Sequence, residues 1–259
     1  MSADEAATGL PKNNEVTAGS FKARFYETYA STHTLHRKPA PTVERFAAKA
    51  GAWDARLGSL LPPEHGSRII DVGCGSGSLV WWLQSRGYEN AQGIDVSAEQ
   101  VELARSAGVR HVSVADLRPW LSAHPGTYDL IFLRDVIEHF DRSDTVELLE
   151  LVRTSLSGGG RVVLQVPNAE SPFFGRVRYG DFTHEMAYTP TSLTQLFGVV
   201  GFAVERFMPV VPVIPRARTL PRYALWKAVE LFYRVLGFAE GGDFSRIVTQ
   251  NLIAVGRAR

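Results

Sequence analysis

Near the start of the chain, apolar residues recur at helical spacing, first at Phe21, Phe25 and Tyr29 and again at Phe46, Trp53 and Leu57, with Pro39 and Pro41 between them. This predicts two helices meeting at a corner within residues 20–60. Residues 1–18 are small and polar and read as a disordered leader. From residue 68 short apolar runs alternate with helical stretches. Strands are predicted over 68–72, 91–94, 109–114, 128–133 and 161–166, and helices over 79–86, 97–108 and 146–156. The 128–133 run is almost wholly apolar, as a strand covered on both faces should be. Short connections between alternating strands and helices predict an α/β fold with a doubly wound, mostly parallel sheet. Further on, Thr189-Pro190 opens a helix that ends at Gly201, followed by a strand over 203–208. Pro209, Pro212 and Pro215 break regular structure. Leu225, Ala228, Val229, Phe232, Val235 and Leu236 then share one side of an amphipathic helix over 220–237, and a last strand covers 247–255. The organisation expected is a leader (1–18), an N-terminal helical lid (19–66) and one α/β domain (67–259) with a C-terminal helical insertion (209–240).

Composition narrows the class without naming it. Hydrophobic residues make up 45% and charged residues 21% of 259, the balance of a globular protein. The formal net charge of +1 gives no field pointing to nucleic acid, so no nucleic-acid partner is expected. The lone Cys74 excludes an internal disulfide, and the polar start shows no secretory signal. No transmembrane segment is predicted, and the expected location is cytoplasmic.

Candidate chemistry falls at the carboxyl ends of the predicted strands, where sheets of this kind bind ligands. Asp71-Val72-Gly73-Cys74-Gly75-Ser76-Gly77 links a strand to a helix. Its Gly-x-Gly-x-Gly spacing differs from the dinucleotide fingerprint, which would put a glycine at Ser78 or Val80. Asp95 ends the next strand, where a carboxylate can accept from both hydroxyls of a ribose. Asp116-Leu117 follows the third strand, and Arg134-Asp135-Val136-Ile137-Glu138-His139-Phe140 the fourth.

These four segments, in this order, resemble the class I methyltransferases. Within that class they are similar to the ubiquinone-type and the glycan, sugar and natural-product O-methyltransferases. The resemblance implies a Rossmann-like fold and S-adenosyl-L-methionine as cofactor. By the same likeness, Asp71, Gly73, Gly75 and Gly77 wrap the amino-acid part of the cofactor, Asp95 holds the ribose, Asp116 and Leu117 hold the adenine, and Arg134 presents backbone. Upstream, Leu35-His36-Arg37 resembles a step in which Arg37 would meet the cofactor carboxylate. Tyr26 to Tyr29 read either as a lid over the site or as core packing.

Methyl transfer to a hydroxyl needs alignment and a general base. His184, in a segment resembling the surface-polysaccharide methyltransferases, is the candidate base, His139 is the runner-up, and Glu138 stands beside it. No ligand cluster has a recognisable metal spacing, so no metal is expected. The reading is an S-adenosylmethionine-dependent transferase for O-methylation in biosynthesis, acting on a saccharide or other small molecule. An aromatic or amine metabolite as acceptor, and a cofactor-binding module without turnover, stay open. The 220–237 helix packs on its own domain, covers the substrate site, forms a homodimer contact or makes a peripheral membrane contact.

Overall fold

The computed structural model describes residues 21–35, 40–212, 216–242 and 247–259. The leader, Arg37 and His36 lie outside the described residues. The chain forms α1 (Phe21–Glu27), a π-helical turn (Ala30–Thr34), α2 (Val43–Leu57), β1 (Ile69–Val72), α3 (Ser78–Ser85), β2 (Gln92–Asp95), α4 (Ala98–Ser106) and β3 (Val112–Val114). It continues through α5 (Leu117–Ser122), β4 (Tyr128–Arg134), α6 (Arg142–Ser155), β5 (Leu156–Pro167), α7 (Phe174–Arg178), α8 (Pro190–Val200), β6 (Phe202–Pro209), α9 (Leu220–Gly241) and β7 (Asn251–Ala258).

The seven strands make one sheet in the order β3-β2-β1-β4-β5-β7-β6. β1 to β5 are parallel, and β7 runs antiparallel between β5 and β6. Strand periodicity explains how both faces are covered. Ile70, Ile131, Leu133, Val162 and Leu164 point to one face, against Leu148, Leu149 and Val152 of α6 and Leu193 and Phe197 of α8. Their neighbours Ile69, Leu130, Phe132 and Val163 point to the other, against Trp53 and Leu57 of α2 and Trp82 and Leu83 of α3. The segment expected as a lid therefore divides. α2 is built into a core layer, and α1 with the π-turn lies over the carboxyl end of the sheet.

Several boundaries differ from the sequence pattern for local reasons. α6 starts at Arg142 because Asp141 caps it, accepting from Asp144 N at 2.8 Å. β3 starts at Val112 because His111 sits at φ 56° and interrupts extended backbone. β5 runs back to Leu156 through the three glycines, and at Gly160 a Cβ would come within 3.0 Å of the Tyr128 carbonyl oxygen. α5 was not expected; Asp116 caps it and Pro119 falls in its first turn, where proline is tolerated. β7 starts at Asn251 rather than 247 because Asn168 Nδ2 takes the carbonyls of Ile247 and Thr249 at 2.5 and 2.9 Å.

Candidate active site

A cavity of about 1220 Å³ opens at the carboxyl ends of the parallel strands. The glycine loop forms one wall. The backbone N–H groups of Gly73 and Cys74 both donate to Ile94 O, at 2.8 and 2.9 Å, which folds the loop onto β2. Gly73 has φ 74°, and a Cβ there would lie 2.5 Å from Val136 Cγ2, so only glycine fits. Gly73 and Gly75 line the cavity, whereas Gly77 packs against Ala104 and Val109 behind it.

Asp95 joins two loops. Its Oδ2 accepts from Gly75 N at 2.8 Å and its Oδ1 from Ser97 N at 2.9 Å. Each oxygen keeps a further lone pair, and the side chain lines the cavity. Burial raises its pKa against the pull of those two N–H groups. Asp116 and Leu117 also line the cavity, with Asp116 accepting from Arg118 N at 2.8 Å. Asp71 lies beneath the loop and off the cavity wall, fully buried, and among the described residues neither of its oxygens has a hydrogen-bond partner. Burial pushes its pKa to about 7, opposed by the Arg134 guanidinium. Arg134 lines the cavity, and its guanidinium lies 4.3 Å from the centre of the Trp53 ring.

The far wall gathers the other candidates. After β4, Asp135 adopts φ 57°, held by Gln165 Nε2 at 3.1 and 3.0 Å and by Asn251 Nδ2 at 3.0 Å. This strained residue turns the chain so that Glu138 and His139 line the cavity. The Glu138 carbonyl accepts from Glu185 N at 2.7 Å and Met186 N at 3.1 Å, which draws the 181–188 loop across the site. The His139 and His184 rings meet edge to face with centres 4.7 Å apart.

The hydrogen bonds fix both tautomers. Thr183 Oγ1 donates to Asp181 Oδ1 at 2.7 Å, so it accepts from His139 Nδ1–H at 2.8 Å. His184 Nδ1 faces the Val177 carbonyl at 2.9 Å and must donate to it. Both Nε2 atoms therefore carry a lone pair. Burial and the neighbouring His184 depress the His139 pKa to about 4, and burial also lowers that of His184. Burial acts to raise the Asp181 pKa, but bonds from Tyr29 and Thr183 outweigh it and hold it at about 2. The Glu138 carboxylate is buried, without a hydrogen-bond partner among the described residues, and burial keeps its pKa well above the usual range. Ligand atoms of Glu138, His139 and His184 lie within 4.8 Å of one another and could hold a metal ion. Spacing could not reveal this trio, because His184 comes from another loop.

Further contacts hold the segment above the cavity, and most of them join residues too far apart in sequence to form a local pattern. α1 is pinned over the site by Lys22, whose Nζ donates to His139 O at 2.6 Å and pairs with Glu185 at 2.5 Å. Tyr29 OH donates to Asp181 Oδ2 at 2.6 Å. The Asp-x-Thr pattern at Asp181 and Thr183 is the legible signal, since an aspartate commonly accepts from the N–H two residues on, here at 2.9 Å. Arg37 lies outside the described residues.

A model of the methyltransferase domain matches residues 32–206. A tRNA1(Val) (adenine(37)-N6)-methyltransferase of Yersinia pestis (strain Pestoides F) is 31% identical over 97 residues, covering 34% of this chain and 39% of that protein. The chain thus aligns with well under two thirds of that relative. Among solved structures, it is similar to an S-adenosylmethionine-dependent methyltransferase from Archaeoglobus fulgidus, with TM-score 0.59 and 21% identity over 83% of this chain and 96% of that one. It is also similar to the 1,6-didemethyltoxoflavin-N1-methyltransferase of Burkholderia thailandensis, with TM-score 0.56 and 14% identity over 98% and 93% of the two chains. At such identities the likeness is one of fold.

Proposed function

The chain belongs to the methyltransferase-domain family, with the class I fold of S-adenosylmethionine-dependent enzymes, and on that premise we propose that it methylates a hydroxyl group of a saccharide or related natural-product intermediate. The cofactor supplies a methyl group on a sulfonium. The glycine loop, Asp95, Asp116 and Leu117 fit it: no side chain projects from Gly73 or Gly75, and the spare lone pairs of Asp95 suit a vicinal diol. Arg134 lines the same cavity, and its positive charge suits a carboxylate.

The observation that carries the reaction class is the pair of bare Nε2 atoms on His139 and His184 in the same cavity. A hydroxyl must lose a proton as it attacks, and a neutral imidazole is suited to take it. His184 is the base in this reading and His139 its neighbour, with Glu138 on the floor beside them. An amine acceptor would need such a base less.

The test is transfer of labelled methyl from S-adenosylmethionine to a panel of saccharides, phenols and amines. Label in a base-stable ether on a saccharide supports the reading. Label on an amine alone, undiminished in His184→Gln, overturns it. Loss of activity with a chelator and recovery with a divalent ion would reassign the two Nε2 atoms to a metal.

A further inference from the structure

α9 turns a continuous apolar stripe outward, and the side that meets the protein is mixed. Arg222, Leu225, Trp226 and Val229 line the cavity, with Leu225 at the edge shared with the outer face, and Glu230 is buried, bonded to Lys227 and, at 2.9 Å, to Arg234. Its apolar side faces outward, with Leu225, Leu231 and Phe232 exposed by 67%, 60% and 57%, and Leu220, Val235, Leu236 and Phe238 by about half. At ~100° per residue these seven fall within one arc of roughly 160°. The charged residues of the helix all lie outside that arc. Such a face exceeds the scattered apolar exposure of an ordinary surface and calls for a cover.

Charge at the rim decides what covers it. From 216 to 242 the sequence carries five cations, Arg216, Arg218, Arg222, Lys227 and Arg234, against two carboxylates, Glu230 and Glu240. Glu230 bonds both Lys227 and Arg234, and the stretch as a whole keeps an excess of three positive charges, five against two. Two copies packed through this face would set cations against cations. A surface of lipid phosphates would meet them with opposite charge while the acyl boundary takes the apolar arc. Exposed aromatics continue beside it: Phe173 at the start of α7 packs edge-on against Tyr233, with Phe174 next to it. No described helix is long and apolar enough to cross a membrane, so α9 would lie on the surface.

We propose that the exposed face of α9 docks the protein on an anionic bilayer, with the mouth of the cavity turned toward the lipid. The surface is independent of which hydroxyl is methylated.

Flotation of the full chain with phosphatidylcholine vesicles, and with vesicles carrying an equal part of phosphatidylglycerol, tests this. The chain should float with the anionic vesicles, less so at high salt, and only weakly with the neutral ones. The double variant Leu231→Glu, Phe232→Glu removes no cavity-lining residue and should lose at least about tenfold in partitioning with its melting temperature unchanged. No flotation of the wild type with anionic vesicles, or flotation unaltered in the variant, overturns the proposal. A wild-type dimer in sedimentation velocity that the double variant splits, without vesicle binding, assigns the face to a second copy instead.

Discussion

His139 and Thr183 are 44 residues apart in sequence and share one hydrogen bond, Nδ1 to Oγ1 at 2.8 Å. Because Thr183 gives its own proton to Asp181, that bond leaves the Nε2 of His139 bare. The relay continues through Asp181 to Tyr29 at 2.6 Å, so the element above the cavity and the imidazole inside it are parts of one network.

With a hydroxyl acceptor, His184→Gln should lower kcat by about a hundredfold or more while leaving cofactor affinity near that of the wild type. The base works as the neutral imidazole, and burial lowers the His184 pKa below 6.5. The wild-type rate should therefore climb on the acid side and be flat through neutral pH. A limb centred above pH 7 would show that another group takes the proton.

Tyr29→Phe removes the donor to Asp181 without changing the ring. A hydrogen bond to a charged group contributes about 1.5–3 kcal/mol. The variant should show faster amide exchange over 21–35 and a higher KM for cofactor, with kcat less affected. Unchanged exchange in that segment would show that the Lys22–Glu185 pair and the bonds of Ala30 and Ser31 to Glu99 hold it without Tyr29.

Asp71 supplies a pH test of stability. Its folded pKa is about 7, above the usual 3.8, so the folded state holds its proton more tightly than the unfolded chain. Its contribution to stability is complete below pH 3.8 and is lost as pH rises to about 7. Asp71→Asn cannot ionise, so its melting temperature relative to the wild type should rise between pH 4 and pH 8 in the absence of cofactor. A constant difference across that range would contradict the buried, unpartnered carboxylate.

The sheet from β1 to β5 was legible because a strand covered on both faces reads as an apolar run, as in Ile69–Val72 and Tyr128–Arg134. The antiparallel placement of β7 was not, since no local pattern tells a strand which edge it joins. Asp95 and the glycine loop could be found because neighbouring strand ends place them together. His139, Tyr29 and the Asp181–Thr183 pair come from three segments, and only folding brings them into one chain of hydrogen bonds. The outward apolar face of α9 was legible as a stripe, but the sequence could not say which side faces the protein. The structure answers that by burying Glu230.

Calorimetric titration tests whether the glycine loop and Asp95 build a cofactor site. S-adenosylmethionine, S-adenosylhomocysteine and NAD would be added to the wild type and to Asp95→Ala. Both methionine-derived ligands should bind, NAD should not, and Asp95→Ala should weaken binding by about tenfold or more, since it loses charge-assisted bonds to a diol and the anchor of Gly75. Binding of NAD in their place, or no binding of either methionine-derived ligand to the folded chain, would contradict such a site.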